Sequence, residues 1–320
     1  MRSEKEMLEL IADTALADEN IRAAYLEGSR ANPSVPRDIF QDYDVVYIVK
    51  DTKPYRENRA WIDRFGERLY MQYPEENTEF PSDVENCYGW LMQLADGNRL
   101  DLHVCTGPYA LARLELYQTL VDKDGIMPAE KEECDEMHWI RKPDERKFQN
   151  VCNEFWWCLN NVAKGLWREE LPYVLDMMDF HVRPMLKQML EWKIGCGNHF
   201  SVSAGKMAKY MKRFLPRGDY DRFLQTYGRA TVGEQWQAAF VMCDLFQETA
   251  CAAAETLGFS YNREEAENSR WFLEHVYTLP KDAREVIQDK DWSRSAGRGL
   301  AAEKHREKKT DEQVEKESQI

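Results

Sequence analysis

The segment QDYDVVYIV, residues 41–49, sets two carboxylates one residue apart at the mouth of an apolar, β-branched run. Aspartate is disfavoured inside strands. The run behind the pair, Val45, Val46, Ile48 and Val49, is nonetheless a strong strand signal. Side chains at i and i+2 of a strand share one face and stand about 6–7 Å apart. Asp42 and Asp44 are therefore expected to aim at one spot, while the residues after them enter a core. A fold that accepts this must bury the body of the strand and leave its entrance open to something cationic.

The surroundings read as α+β. Residues 3–18 have the spacing of an amphipathic helix through Met7, Leu8, Leu10, Ile11 and Ala15. IRAAYLEG predicts a strand ending at Gly28, and NPSVPRDIFQ a loop with two prolines. ENRAWIDRFGERLYMQY has helical spacing through Trp61, Phe65 and Leu69. YGWLMQLADGNRLDLHVCT predicts a hairpin turning at Asp96-Gly97-Asn98. YALARLELY predicts a short helix, and TLVDKDG a last short strand and turn. Asp101 sits between Leu100 and Leu102, so alternation sets it on the opposite face from them, together with His103.

Hard carboxylate oxygens with room for water and phosphate suit Mg²⁺. A third carboxylate on an adjacent strand would complete a two-ion arrangement, with ions about 4 Å apart. Asp101, about 57 residues beyond Asp44, is the candidate. Gly28-Ser29 then has a use. Glycine permits close backbone approach, and backbone N–H groups with the serine hydroxyl take phosphate oxygens. Arg30 adds a positive charge. No GxxxxGK[ST] motif occurs, so this is not a P-loop.

After about residue 144 the pattern turns helical. Pro172 suits a helix start and Pro184 a boundary or kink. Phe155, Leu159, Val162 and Leu166 form one apolar stripe. Trp157, Asn161, Lys164 and Arg168 form a second stripe at the same spacing. This second face is either solvated basic surface or a phosphate-binding face, with Lys164 and Arg168 reaching a triphosphate. Asp176 and Asp179 lie at i and i+3 after Glu169 and Glu170. Such clustered carboxylates either face solvent or hold a cation, and Trp156 or Trp157 can stack on one. SAGKMAKYMKRFLP predicts a further helix, with Lys206, Lys209 and Lys212 as a surface ladder. YDRFLQTYG and TVGEQWQAAFVMCDLFQETACAAAETLG predict two more.

Length and charge bound the rest. The 320 residues suit two modest domains, here 1–143 and 144–292, with a charged and disordered tail at 293–320. A net charge of −14 repels phosphate backbones, so no nucleic-acid partner is expected, and it attracts small cations. Eight cysteines form no CxxC pair and no zinc spacing, which predicts free thiols in a reducing cytoplasm. No apolar run is long enough to cross a membrane, and the N-terminal residues lack a signal-peptide block. Monomer and homodimer are both compatible with these features.

The combination of strand, Gly-Ser, loop, Asp-x-Asp and a strand-borne Asp resembles the polymerase-beta-like nucleotidyltransferase superfamily. To about residue 285 the chain is similar to the aminoglycoside 6-adenylyltransferases, the streptomycin-modifying enzymes. The stretches that carry the likeness are EGSRANP, QDYDVVYIV, NRLDLHV, FWWCLNNVAKGLWREELPYVLDMMD and SAGKMAKYMKRFLP. The long helical stretch narrows the superfamily to this branch. The resemblance implies an N-terminal nucleotidyltransferase domain, a mixed sheet with flanking helices that holds ATP and Mg²⁺. It implies that a C-terminal helical bundle helps bind the aminoglycoside. AMP would pass to a hydroxyl of streptomycin, at the 6-position, releasing pyrophosphate and giving antibiotic resistance. On this reading Asp42, Asp44 and Asp101 are catalytic and metal-binding. Gly28, Ser29, Arg30, Lys164 and Arg168 bind the nucleotide, Lys164 with more support than Arg168. Trp157, Glu169, Asp176 and Asp179 bind the drug. Two other readings stand beside it: a nucleotidyltransferase with another acceptor, and a non-catalytic partner protein of the same fold. A degenerate copy has no physical need for paired strand carboxylates, which argues against the last.

Overall fold

The structure is a computed structural model that describes residues 1–80, 82–129 and 136–287. The expected tail at 293–320 lies outside the described residues. The chain forms two compact units, Met1–Met137 and the residues from His138 on. This division falls six residues before the composition changes at 144. Ile140 explains it: its N–H donates to Val202 O, and its side chain joins the helical core.

In the first unit, α1 (Glu4–Ala17) begins at a capping box. Ser3 accepts from the Glu6 N–H, while the Glu6 carboxylate takes the Ser3 N–H. Then come β1 (Ile21–Glu27), the single turn α2 (Gly28–Ala31), β2 (Tyr43–Val49) and α3 (Lys53–Glu57). A 3₁₀ segment (Arg59–Phe65) leads to β3 (Arg68–Gln72), and a 3₁₀ turn (Pro74–Glu76) follows it. The hairpin is β4 (Cys87–Leu94) with β5 (Arg99–Thr106), and α4 (Gly107–Leu111) and β6 (Gln118–Asp122) close the unit. The six strands lie in the order β3-β4-β5-β2-β1-β6. All neighbours are antiparallel except β2 and β5. That parallel pair sets Asp44 opposite Asp101 and Val46 opposite His103.

The two faces of the sheet differ. Val45, Tyr47, Val49, Leu100, Leu102 and Val104 enter the larger core with α1 and the aromatic group Trp61, Trp90 and Tyr88. Val46, Ile48 and Cys105 enter a smaller cluster with Tyr25, Ala110 and Tyr117. Asp44, Asp101 and His103 fall on the smaller-cluster face by alternation, near the strand entrances, Asp101 buried and the other two half-buried.

The helix expected through Trp61, Phe65 and Leu69 is not formed. Gly66, at φ 116°, ends the 3₁₀ segment, and Leu69 lies exposed on edge strand β3. Trp61 and Phe65 still reach the core. The described cysteines are free thiols, Cys87 and Cys105 facing each other across β4 and β5 at Sγ–Sγ 3.3 Å.

The second unit is all helical among its described residues. Its elements are α5 (Glu145–Arg168), α6 (Leu171–Met177), a π-helical turn (Met178–Val182) and α7 (Arg183–Gly197), followed by α8 (Met211–Phe214), α9 (Arg217–Gln225), α10 (Val232–Leu257) and α11 (Arg263–Thr278). Asp144 caps α5 by accepting from the Lys147 N–H. The expected stripe Phe155, Leu159, Val162 and Leu166 is buried, and the Phe155 ring stacks on Phe246 of α10. Pro172 occupies a first-turn position of α6, where no hydrogen bond is lost, and Pro184 stands at the boundary where the π turn passes into α7. SAGKMAKYMKRFLP does not form one helix. Gly205, Met207 and Ala208 all have positive φ, leaving a 3₁₀ turn at Lys206–Ala208 and the short α8. Lys206, Lys209 and Lys212 therefore share no helical ladder; the last two lie over the Tyr210 and Tyr220 rings. No helix among the described residues is long and apolar enough to cross a membrane.

Candidate active site

Asp42 and Asp44 come from the entrance of β2, and Asp101 from β5 beside it. One carboxylate oxygen from each lies within 4.8 Å of the others. The trio is crowded with negative charge. Burial, followed by Asp42, Asp101 and Glu27, pushes the Asp44 carboxyl up to about 7. Glu27, paired with Asp44 in the β1–β2 register, is itself raised by burial and then by Glu115.

Gly28 fits this place because it lacks a side chain. A Cβ built on it would overlap the Asp44 carboxylate, and its φ of +68° belongs to the left-handed region. The backbone thus turns directly over Asp44 before α2 begins. Ser29 is half-buried, and its carbonyl accepts from Gln41 Nε2 at 3.2 Å.

Arg30 departs from expectation. It is only 9% exposed and donates to Asp42 O at 2.9 Å and Gln41 O at 2.8 Å. Its guanidinium lies over the Tyr43 ring, 3.7 Å from the centroid, and pairs with Glu4 at 3.4 Å. Two of its donors hold the loop that delivers Asp42, so it positions that carboxylate.

The cation beside the trio is Arg99, which sequence reasoning passed over. It grips Asp101 bidentately, at 2.9 and 2.6 Å, and lies 3.8 Å from Asp42. With its side chain 49% exposed, it stands on the solvent side of the carboxylates. The signal was in RLD: residue i−2 of a strand aspartate shares its face. Glu75, from the 3₁₀ turn after β3, was also missed. It accepts from the Gly89 N–H at 2.8 Å and faces His103 Nε2 at 3.8 Å. Gly89 leaves the space that the His103 ring fills. Burial holds the His103 imidazole below its ordinary range, against the pull of Glu75 and Asp101. No local sequence signal links Glu75 to this face; the fold brings it there.

The donor set can be tested against Mg²⁺ directly. Three carboxylates are gathered on one spot, burial and then the neighbouring charges hold the Asp44 carboxyl up, and the single positive charge of Arg99 leaves negative charge in excess. An oxygen-only, charge-excess pocket of this kind fits a hard divalent cation.

A model of the family described as "Streptomycin adenylyltransferase" matches residues 1–276. The chain belongs to this family. It is accordingly a nucleotidyltransferase of the adenylyl-transferring class. Among curated relatives, the aminoglycoside 6-adenylyltransferase of Bacillus subtilis (strain 168) is 37% identical over 265 residues, 82% of this chain and 93% of the relative. That of Staphylococcus aureus is 34% identical, covering 77% and 89%. That of Campylobacter jejuni is 35% identical, covering 82% and 91%. The crystal structure of an aminoglycoside 6-adenyltransferase from Bacillus subtilis is 33% identical, covers 87% of this chain and 100% of its own, and superposes with a TM-score of 0.44. The family assignment rests on the sequence matches.

In the helical unit, the second stripe of α5 is solvent-facing: Trp157 is 67% exposed, and Lys164 is exposed with no ion pair among the described residues. Arg168 lies 3.9 Å from Glu170, and Glu169 pairs with Lys281 at 2.8 Å. Glu169 also ends α5 in the left-handed conformation, at φ 62°. Asp176 is exposed on α6, whereas Asp179 belongs to the π turn and pairs with the buried Arg183. Asp179 also lines an open pocket of roughly 410 Å³ with Arg183, Lys187, Glu191 and Tyr227. Of the four residues expected to bind the drug, Glu169 and Asp179 are ion-paired, whereas the side chains of Trp157 and Asp176 have no hydrogen-bond or ion-pair partner among the described residues.

Proposed function

We propose that this protein transfers AMP from ATP to the 6-hydroxyl of streptomycin, releases pyrophosphate and so confers resistance. The observation that carries the reading is the convergence of Asp42, Asp44 and Asp101 within 4.8 Å, with the Asp44 carboxyl raised by burial and then by its acidic neighbours. Such crowding costs stability and is explained by a bound cation.

Asp42 and Asp44 would hold Mg²⁺ on the triphosphate, and Asp101 would hold a second ion or accept the proton of the attacking hydroxyl. Bound Mg²⁺ supplies charge neutralisation, the main requirement of transfer at phosphorus. The acceptor oxygen bonds to the α-phosphorus as the bond from that phosphorus to the bridging oxygen of pyrophosphate breaks. Gly28 lets the nucleotide approach the backbone, Ser29 offers its hydroxyl to a phosphate, and Arg30 fixes the loop that presents Asp42. Lys164, and secondarily Arg168, are assigned to the departing pyrophosphate. Trp157, Glu169, Asp176 and Asp179 are assigned to the guanidinium groups of the drug. The net charge of −14 favours arrival of a polycation. Function in the cytoplasm, where ATP is plentiful, follows from the same reading.

The test is pyrophosphate release from ATP and Mg²⁺ with a panel of aminoglycosides and an RNA end. Release with streptomycin, and a product heavier by one adenylyl group, is the expected result. Release with RNA alone, or with no acceptor tried, overturns it.

A further inference from the structure

A second convergence of ligand atoms lies in the helical unit, and its chemistry differs from that of the carboxylate trio. Glu154 and Cys158 are four residues apart on α5, hence on one side of that helix. His181 comes from the π-helical turn Met178–Val182, which packs against α5. A carboxylate oxygen of Glu154, the Cys158 sulfur and an imidazole nitrogen of His181 all lie within 4.8 Å of one another. Cys158 is 5% exposed, and its thiol donates to Glu154 Oε1 at 3.3 Å. Among the described residues Glu154 has no other hydrogen-bond or ion-pair partner, and His181 has none.

We propose that Glu154, Cys158 and His181 form a binding site for a borderline-soft divalent ion of the Zn²⁺ class. Thiolate, imidazole and carboxylate are the three donor types Zn²⁺ takes from proteins, and three protein ligands leave a fourth position for water. Metal–ligand bonds of about 2.0–2.3 Å require ligand atoms about 3.3–3.8 Å apart in a tetrahedron. The present spacing closes to that with side-chain movements of about 1 Å. On binding, the S–H bond of Cys158 breaks, its proton passes to solvent, and the sulfur bonds the metal as thiolate. Mg²⁺ does not compete, because it selects the all-oxygen set and avoids sulfur. The ion would tie the π turn to α5 and so fix the turn that carries Asp179. None of its three ligands is among the residues assigned to the nucleotide or the drug, and the Co²⁺ test reads it separately from that reading.

Cobalt titration of the chelator-treated, full-length protein tests this, because Co²⁺ bound by a thiolate absorbs through sulfur-to-metal charge transfer. The band should saturate near one equivalent, persist in excess Mg²⁺, and yield to Zn²⁺. Cys158→Ser should abolish it, and His181→Ala should weaken Co²⁺ binding by at least roughly the tenfold that loss of even an outer-shell partner costs. His181 is exposed, so its variant keeps the test decisive if the buried Cys158 variant fails to fold. Absence of the band at stoichiometric Co²⁺, a band that survives Cys158→Ser, or unchanged affinity in His181→Ala overturns the proposal.

Discussion

Replacing Asp44 by Asn should make the metal-free protein more stable at neutral pH while removing its activity. Asp44 is raised to about 7 from an ordinary value of 3.8. The folded protein therefore keeps a proton that the unfolded chain has lost. Between about pH 4 and pH 7 the folded state binds more protons than the unfolded one, so stability falls as pH rises through that window. The penalty is complete above pH 7 and absent below pH 4. Three pKa units correspond to a ceiling of about 4 kcal/mol, and local relaxation with water at the open strand entrance reduces it to about 1–2 kcal/mol. For a unit of this size that is a rise in thermal midpoint of roughly 3–8 °C. Asn is isosteric, no hydrogen bond to Asp44 is lost, and Gly28 leaves its space unchanged. Thermal unfolding of wild type and Asp44→Asn in chelator, from pH 4.5 to 8, reads the effect. The gap should be widest at pH 8 and shrink toward pH 4.5, and Mg²⁺ with ATP should raise the midpoint of the wild type only. A variant that is less stable at pH 8, or a gap that ignores pH, would refute the reasoning.

Gly28→Ala places a methyl group on the Asp44 carboxylate and strains a left-handed residue. It should cost about 1 kcal/mol of stability or more, and kcat/KM should drop at least 100-fold, on the order of 3 kcal/mol in transition-state binding. Arg30→Met leaves two backbone carbonyls without their donor and Tyr43 without its cation. A loss of about 2–4 kcal/mol in unfolding experiments is expected, whereas a direct phosphate ligand would change the KM for ATP with stability intact. Lys164→Ala removes an exposed, unpaired charge, so its midpoint should stay within about 1–2 °C of wild type while kcat/KM for ATP falls roughly 10–100-fold.

How much of this was legible in the sequence depends on distance along the chain. Alternation within a single strand placed Asp42 and Asp44 on one face, and placed Asp101 opposite Leu100 and Leu102. The parallel pairing of β2 and β5 then determines that Asp44 meets Asp101, and strand pairing is a long-range choice that local pattern does not encode. The apolar stripe of α5 was readable because 3.6-residue spacing is a local property. The segment around Trp61 misled for the same reason: the spacing was helical, but Gly66 ended the helical segment and the edge of the sheet took Leu69. Arg30 looked like a free charge beside a phosphate loop. Its burial becomes visible only when the chain folds Gln41, Asp42 and Tyr43 back over it. Arg99 was overlooked although alternation puts it on the face of Asp101, and Glu75 reaches that face from a turn that no periodicity marks. Asp176 and Asp179 were treated as one helical side, but the π turn begins between them and gives Asp179 to Arg183.

The central claim is that the three clustered carboxylates drive adenylyl transfer to streptomycin. ATP labelled at the α-phosphate, incubated with Mg²⁺ and streptomycin, tests it most directly when wild type is run beside Asp42→Asn with circular dichroism on both. Label on the drug is expected with the wild type, and none with a variant whose spectrum is unchanged. Label transferred equally by a folded Asp42→Asn protein would contradict it.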